Sequence, residues 1–364
     1  MQLSSTLSWL VDAASEAPGA DRLLAELGNH LLGDGLPLAG GALTLAVPHP
    51  LIARRTWLWR AANGEIIEAL GFAPGGPPAM VPSAPSDDSG RRWLASIAAG
   101  AVQEDRVGSR QDGPSLAWIA PRAFTPAETD HLQMAARFAA APLAVVAARD
   151  TLRAALDAYL GRRSAARVLA APLRRDVGET IQAALLFADL RGFTALSESQ
   201  PPSEVISALG AWFDRIAGAV HAFGGEVLKF IGDGLLAIFP VVGESPRAAC
   251  AAALQATAAA RLGMARLDAE RERRELPPLP FGVALHLGDI FWGNIGAADR
   301  LDFTAIGPAV NLVSRLEGLC RPLGRTVLVS GALAAHSEMA LIAVGEHSLR
   351  GIASPCAVFA MPED

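Results

Sequence analysis

Two carboxylates at the ends of apolar strands are the groups of this chain best placed to do chemistry. The run 183–188 is continuously apolar and leads to Asp189, and a strand at 226–231 turns through a tip that carries Asp233 into a further strand. If these strands are neighbours, the two acids converge at one sheet edge, where they would hold a pair of magnesium ions against a nucleotide triphosphate. Taken singly, each aspartate is better explained as a residue of an ordinary turn.

Lys229 is the only lysine among the 31 lysine and arginine residues, and it stands four positions before Asp233. A guanidinium is a broad planar fork, whereas an ammonium is a compact charge on a slim stem. A site that donates one hydrogen bond to the edge of a base therefore favours lysine. The alternative is chance retention on a solvated strand end.

A helix that begins at Gly307-Pro308 carries Asn311 and Arg315 four positions apart on one helical face. A polar pair at this spacing is usually solvated or part of a cap. Beside a nucleotide, however, the amide would orient a sugar while the guanidinium neutralised phosphate charge.

These motifs resemble those of the class III nucleotidyl cyclases, in the same order, and the resemblance covers residues 178–364. Residues 187–194 are similar to the family's first metal motif, and residues 229–233 to its second. The resemblance implies that Asp189 and Asp233 bind two metal ions, Mg²⁺ or Mn²⁺. It also places four residues around the triphosphate, namely Leu190, Gly192, Phe193 and Thr194.

The same resemblance assigns the other residues of the site. Lys229 and Thr304 match the two base-selecting positions, the second of which is aspartate in many adenylate-making members and threonine in one subclass. Asn311 is similar to the ribose-orienting residue, and Arg315 to the arginine that stabilises the transition state. Arg350 resembles a late cationic residue that contacts the polyphosphate.

The implied protein is an adenylate cyclase that converts ATP to 3′,5′-cyclic AMP and pyrophosphate, working as a head-to-tail homodimer with two equivalent sites. Pro308 stands where the family usually has an acid, which we interpret as a changed helix start. A guanylate cyclase and a catalytically silent, cyclase-like binding module are the alternatives, although a silent module would be expected to have lost one of these residues. A diguanylate cyclase would need a Gly-Gly-Asp-Glu-Phe turn, which Gly224-Gly-Glu-Val is not.

Composition excludes several other classes of protein. A net charge of -6 and a pI near 5.7 argue against a nucleic-acid surface, which needs clustered positive charge. Cys250, Cys320 and Cys356 are far apart and odd in number, as suits reduced thiols. The first residues lack the basic region of a signal peptide, and no apolar run reaches the roughly 18 residues of a membrane span. We therefore expect a cytoplasmic protein.

The first half, residues 1–148, is predicted to be a second α+β domain. Runs 40–47 and 55–59 have the composition of strands, and residues 73–90 that of a loop. The length of this half, its mixed elements and the helix that leaves it resemble small-molecule sensor domains of the GAF type. We therefore expect an unknown small-molecule or protein regulator to act there, with a pure dimerisation scaffold as the alternative.

A long helix is predicted to leave this domain at Thr125, where Pro126 and Glu128 complete a capping box, and to kink at Pro142. Apolar residues recur along it at threes and fours: Leu132, Ala135 or Ala136, Ala139, Leu143 and Val146. This stripe indicates a core face more often than a dimer seam.

Residues 149–177 are predicted to be a helical linker. The predicted fold class is therefore α+β. A ferredoxin-like βαββαβ cyclase catalytic domain, residues 178–364, is preceded by the GAF-like domain and the linker.

Overall fold

The computed structural model describes residues 4–46, 52–72, 89–108, 113–172 and 174–362, and the chain divides into two compact units, Met1–Ala155 and Leu156–Asp364. The first unit is an antiparallel sheet with helices packed on it. Its helices are α1 (Ser5–Asp12), α2 (Ala20–Gly33), α3 (Ser89–Ile97), α4 (Pro126–Phe138) and α5 (Ala140–Leu160), the last of which continues into the second unit. Its strands are β1 (Gly40–Ala46), β2 (Ile52–Arg60), β3 (Ile66–Phe72), β4 (Gln103–Arg106) and β5 (Ser115–Ile119), in the order β3-β2-β1-β5-β4.

The two predicted strands of this unit are confirmed as β1 and β2. Of the predicted loop at 73–90, residues 73–88 lie outside the described part of the chain, and the prediction is wrong for Ser89 and Gly90, which begin α3. Gly90 is buried, and a Cβ there would touch Ala42 and Thr56 at 3.4 Å. Ser89 and Gly90 are helical because α3 packs closely on the sheet. A run of turn-forming residues in the sequence does not reveal this packing.

The helix predicted at Thr125 is confirmed together with its cap. The Thr125 side chain accepts a hydrogen bond from the Glu128 amide, and the Glu128 side chain accepts one from the Thr125 amide. The rod breaks after Phe138, and α4 and α5 meet at 43°. Pro142 in the first turn of α5 explains the break, because proline lacks the amide hydrogen that would continue α4. The predicted stripe of this rod is buried, from Leu132 to Val146, so its assignment to the core is confirmed.

Among the described residues, no single helix is long and apolar enough to cross a membrane. The bent pair α4 and α5 passes that test of length and composition only when its two members are taken together.

The second unit is built on an eight-stranded sheet. Its helices are α6 (Arg162–Ala170), α7 (Phe193–Ser199), α8 (Pro202–Ala222), α9 (Arg247–Glu272), α10 (Pro308–Glu317) and α11 (Gly331–Ala334). Its strands are β6 (Gly178–Leu190), β7 (Glu226–Ile231), β8 (Gly234–Pro240), β9 (Phe281–Gly296), β10 (Leu301–Ile306), β11 (Val327–Ser330), β12 (Ile342–His347) and β13 (Cys356–Ala360). The main path is β12-β13-β11-β9-β6-β8-β7, and β10 pairs with β9. The elements from β6 to β9 follow the predicted order βαββαβ.

Alternate residues of β6 build two cores, one on each face of this sheet. Leu186 packs in a cluster with Trp212 of α8 and with apolar residues of α9. Leu185 faces the other way and packs in a cluster with Val313 of α10. Because both faces are covered, β6 is apolar without alternation, and its end is held rigidly where Asp189 lies.

Candidate active site

Asp189 and Asp233 are brought together by strand pairing. β6 and β8 are antiparallel neighbours, with Ala188 opposite Leu235, so the end of β6 lies beside the tip between β7 and β8. The two carboxyl groups lie close enough that the charge of Asp233 acts on Asp189. Burial and the charge of Asp233 raise the pKa of Asp189 to about 6, although the Leu190 amide, which donates to Asp189, opposes the shift.

The tip that carries Asp233 is fixed from behind. The indole Nε1 of the fully buried Trp212 donates to the Asp233 carbonyl oxygen at 3.0 Å. A Cβ at Gly234 would lie 3.0 Å from both the Ala188 carbonyl oxygen and an Asp189 carboxylate oxygen. Glycine therefore lets the tip approach β6 without displacing either oxygen.

The turn after β6 exposes backbone amides next to the acid pair. Gly192 has φ +77°, a left-handed conformation that glycine adopts without strain, and α7 starts at Phe193. The Arg191 amide donates to the Pro280 carbonyl at 2.7 Å, which ties the turn to the segment before β9. Amides in the first turn of a helix, here those of Phe193 and Thr194, have no partner within the helix and suit phosphate oxygens.

A third acid, Glu317 at the end of α10, lies next to the pair, and sequence reasoning did not single it out. Burial, followed by the charge of Asp189, raises the pKa of Glu317 to about 7, while Arg191 acts in the opposite direction. A Cβ on Gly282 would lie 2.2 Å from a Glu317 carboxylate oxygen, so the absence of a side chain there makes room for the acid. The only sequence signal was its place on the inward side of α10, two residues after Arg315.

The donor set at this position suits a hard divalent cation. Throughout the described ranges, no group of three or more His, Cys, Asp or Glu side chains is arranged to hold a metal. Asp189 and Asp233 would therefore supply two oxygen donors, and further ligands would have to come from the backbone, water or a bound phosphate. Carboxylate oxygens are the ligands that Mg²⁺ and Mn²⁺ prefer. The raised pKa of Asp189 reflects burial first and the charge of Asp233 second, and a bound cation would favour the ionised carboxylate. Asp189 and Asp233 therefore fit the binding of divalent metal ions such as Mg²⁺ or Mn²⁺.

Lys229 lies at a second cluster, between β7 and β10. Its ammonium donates to Asp302 Oδ2 at 2.5 Å. Thr304, two residues further along β10, is buried, and its hydroxyl has no hydrogen-bond partner among the residues that the structure describes. Sequence reasoning missed Asp302, although an acid two positions before Thr304 on one strand is placed on the same face. An ion-paired lysine beside an unsatisfied buried hydroxyl is an incomplete set of polar contacts that a ligand would complete.

Asn311 and Arg315 lie on the exposed face of α10, which begins after Gly307 with Pro308 in its first turn. Within the part of the chain that the structure describes, neither side chain forms a hydrogen bond or an ion pair. Arg350 lies in an exposed turn between β12 and β13, at the sheet edge opposite to β7, and is not brought to the carboxylates within one chain.

The pKa of Asp189 predicts a gain in stability for Asp189→Asn in metal-free buffer. Its folded pKa of about 6 lies above the ordinary 3.8, so ionisation lowers the folding stability progressively between pH 3.8 and 6, by its full amount above 6 and not at all below 3.8. We expect the variant to be about 1 kcal/mol more stable at pH 8, after allowance for solvent screening, and equal to the wild type near pH 4. Thermal unfolding in EDTA at both pH values measures this, with the exposed Asp289→Asn as control. Equal stability at pH 8 would contradict the assigned repulsion.

Comparison with known proteins gives one family. The family model described as "Adenylate and Guanylate cyclase catalytic domain" matches residues 177–358, half of the chain. An adenylate cyclase of Anabaena cylindrica is 33% identical over 150 residues, which are 40% of this chain and 29% of that protein. Adenylate cyclase 1 of Rhizobium meliloti (strain 1021) is 35% identical over 158 residues, 42% of this chain and 23% of that protein. The chain thus spans less than a third of the length of these two curated relatives.

One solved structure extends the comparison to the fold. The structure of a bacterial light-regulated adenylyl cyclase superposes with a TM-score of 0.52 and 18% identity, covering 71% of this chain and 85% of that chain. At this identity the likeness concerns the fold alone.

Proposed function

Because this chain belongs to the adenylate and guanylate cyclase family, we propose that it is an adenylate cyclase, which converts ATP to 3′,5′-cyclic AMP and pyrophosphate. The observation that carries the choice of adenine is the cluster of Lys229, Asp302 and Thr304. Adenine presents an acceptor at N1 and a donor at its 6-amino group. Lys229 donates to the first, and the unsatisfied Thr304 hydroxyl accepts from the second. Guanine carries a hydrogen at N1, which would face the ammonium donor instead.

The acid pair and the turn after β6 bind the polyphosphate end of the nucleotide. Asp189 and Asp233 would hold two Mg²⁺ or Mn²⁺ ions, which when bound acidify the ribose 3′-hydroxyl and neutralise polyphosphate charge. The Gly192 turn directs the amides of Phe193 and Thr194 toward phosphate oxygens, and Leu190 anchors the turn in the core. Asn311 orients the ribose, and Arg315 neutralises the charge that grows on the α-phosphate as the 3′-oxygen attacks.

The site is shared between two copies of the chain in a head-to-tail homodimer. Supporting this, one chain contains two separate polar groups with no ion pair between them. One is the acid pair, at the end of β6 and in the β7–β8 turn, and the other is the Lys229 cluster on β7 and β10. The exposed side chains of Asn311 and Arg315 are likewise free to face another copy. One protomer supplies Asp189 and Asp233, and the other supplies the base, ribose and transition-state contacts. Arg350 contacts the polyphosphate in this arrangement.

Purified protein supplied with ATP or GTP and with Mg²⁺ or Mn²⁺ tests the proposal. We expect cyclic AMP and pyrophosphate from ATP, and a loss of about 100-fold or more in kcat/KM for ATP in Lys229→Glu, because the base edge loses its donor. Asp302→Asn, which removes the acid that orients Lys229, should raise KM for ATP more than it lowers kcat. The control Arg266→Glu makes the same change of charge at an exposed residue of α9. If cyclic GMP were the main product, the protein would be a guanylate cyclase. If no product formed under any condition, it would be a catalytically silent module.

Residues 1–148 form a regulatory, GAF-like domain in this proposal, with 149–177 as linker and 178–364 as catalytic domain. The first unit has a cavity of about 210 Å³ on the α3 side of its sheet, where Ala42 and Ala117 are small and Thr44 and Ser115 are polar. A cavity of this size suits a small ligand.

The linker is bonded to the strand that carries Lys229. Both the amide and the hydroxyl of the buried Ser164, in the first turn of α6, donate to Glu226 Oε1, at 2.8 and 2.6 Å. Glu226 is the first residue of β7 and is itself buried. A movement of α6 would therefore shift β7, and with it Lys229 and Asp233.

Removal of residues 1–148 is expected to change the basal rate of cyclic AMP formation severalfold in either direction. The reason is that α6, and through it β7, would no longer be connected to the first domain. The measurement compares the full chain with residues 149–364 at equal dimer concentration. An unchanged rate together with unchanged dimerisation would contradict a regulatory role.

A further inference from the structure

The cavity on the α3 side of the first unit's sheet has a floor of small side chains. Across β1 and β5, Ala42 pairs with Ala117 and Thr44 pairs with Ser115. These four residues are the floor of the cavity, whose volume is about 210 Å³ and which we call the α3 cavity. Large side chains fill the core on the opposite face of the same two strands: Leu43, Leu45, Leu116 and Trp118. The cavity therefore exists because small residues occupy consecutive positions on one face of neighbouring strands.

The floor is polar as well as small. Thr44 Oγ1 lies 3.0 Å from Thr56 Oγ1, so these two hydroxyl groups share a hydrogen bond. Ser115 is buried, with 7% of its surface exposed, and its hydroxyl bonds to no other residue that the structure describes. A buried hydroxyl without a protein partner loses free energy unless water or a ligand supplies the missing bond. Ser115 therefore offers a donor to an oxygen atom of a ligand in the cavity.

The rim of the α3 cavity is positively charged. Three arginines and one acid lie there: Arg54, Arg91, Arg106 and Glu104. Arg91 is paired with Glu104 at 2.6 Å between nitrogen and oxygen. The Arg106 guanidinium donates to the Gly113 carbonyl oxygen at 3.3 Å, a contact with a neutral group. Three arginines against one glutamate leave an excess of two positive charges among the described lining residues, in a chain whose net charge is -6. The local charge therefore favours an anionic ligand.

The first turn of α3 borders the same cavity. The helix starts at Ser89, and Gly90 and Arg91 line the cavity. A Cβ on Gly90 would touch Ala42 at 3.4 Å, so the backbone of this turn lies close to the floor. Amides in the first turn of a helix have no acceptor within that helix, and the helix dipole places partial positive charge at this end. The helix start therefore adds to the attraction that the arginines exert on an anion.

We infer that the α3 cavity binds a small organic oxyanion, a molecule that carries a carboxylate or a phosphate group. Arg54 pairs with Ala46 of β1, and Arg106 pairs with Ser115 of β5, so the two guanidinium groups flank the floor from opposite sides. A guanidinium binds carboxylate or phosphate oxygens through a planar fork. The cavity volume of about 210 Å³ is several times the roughly 30 Å³ of one water in the liquid, so the ligand is larger than a bare ion.

The site as such does not depend on catalysis. Only its role as the regulatory input of the catalytic domain rests on the proposed function. In that role, the anion would bind in the first unit and its effect would be passed on through α6 and β7.

Isothermal titration of the full chain tests the charge of the site, with inorganic phosphate and succinate as separate probes in Tris buffer without divalent metal. We expect a Kd on the order of 1 mM or tighter for at least one probe, and the tighter of the two identifies the anionic group. Arg106→Gln is expected to weaken that binding at least about tenfold, because a charge-assisted hydrogen bond is lost. Arg137→Gln makes the same change at an exposed residue of α4, which packs on the opposite face of the sheet, and should bind like the wild type.

Two results of this titration would overturn the inference. One is the failure of both probes to bind with a Kd below about 10 mM. The other is an affinity that does not differ between Arg106→Gln and Arg137→Gln.

Ser115→Leu tests whether the anion lies inside the cavity. The leucine side chain would fill the space above the floor, so we expect binding to be lost. The unfolding temperature without anion should be equal to or higher than that of the wild type, because a cavity is filled and no bonded hydroxyl is removed. A folded Ser115→Leu chain that binds the probe as well as the wild type would overturn the inference. The two arginine variants keep the test decisive even if the leucine variant does not fold.

None of these measurements uses enzymatic activity. A chain that binds the anion but forms no cyclic nucleotide would therefore count against the proposed function alone.

Discussion

Arg315→Ala is expected to fold normally and to lower the turnover of ATP by about 100 to 1000 fold, the usual cost of removing a donor that stabilises charge in a transition state. The side chain is exposed on α10 and forms no hydrogen bond or ion pair with the described residues of its own chain. Its removal therefore costs little stability, so a loss of activity reports on chemistry. Steady-state rates of cyclic AMP formation, with thermal unfolding alongside, measure both.

Two further variants make this result specific to the position and the shape of the group. Arg321→Ala removes another exposed arginine, just beyond α10, and should keep full activity. Arg315→Lys keeps the charge but loses the planar fork, so its turnover should fall between those of the wild type and the alanine variant. Near-normal turnover of Arg315→Ala would remove Arg315 from the proposed mechanism.

The acid pair could be predicted from sequence because its determinants are local. Continuous apolarity marks β6, and a glycine on each side of Asp233 marks the tip, so the ends of both strands could be located. That the acids then meet depends on the pairing of β6 with β8, which the sequence analysis left as a condition. The capping box at Thr125 was predictable for the same reason, since all of its bonds lie within three residues.

The residues that complete the site could not be predicted, because their contacts are distant in sequence. Trp212 supports the Asp233 tip from a helix that precedes β7, and nothing in the pattern of α8 distinguishes its indole from other core residues. Asp302 and Lys229 are 73 positions apart and meet only because β10 folds over β9 toward β7. In sequence, Glu317 differs from a solvated helix end only in its place on the inward side of α10, and the approach of Gly282 in the fold shows that it is enclosed.

Helix α5 shows how burial separates two stripes that the sequence superimposes. With alanine at so many positions, the sequence pattern is consistent with two apolar stripes, one through Leu143 and Val146 and another through Val145 and Leu152. The first stripe is buried in the core, whereas the second is exposed. The prediction of a core face is therefore confirmed from Leu132 to Val146, whereas Leu152 is exposed.

Two inactive variants, Asp233→Asn and Arg315→Ala, are expected to restore activity when they are co-expressed. In a head-to-tail dimer the lesion of each variant lies in a different half of the shared site. Random pairing makes half of the dimers mixed, and each mixed dimer has one intact site of two, so the preparation should reach about a quarter of the wild-type rate. Against the near-zero rate of either variant alone, this is a gain of on the order of 100 fold.

Asp189→Asn co-expressed with Asp233→Asn supplies the matched control. Both lesions then lie in the half that carries the acid pair, so neither site of a mixed dimer is intact and the rate should stay near zero. If Asp233→Asn and Arg315→Ala failed to complement although mixed dimers were isolated through two different affinity tags, each chain would have to build its site alone, and the shared site would be wrong. Complementation, together with an inactive control, requires that the acid pair of one chain work with Arg315 of another. This would explain why Arg315 forms no hydrogen bond or ion pair with the described residues of its own chain.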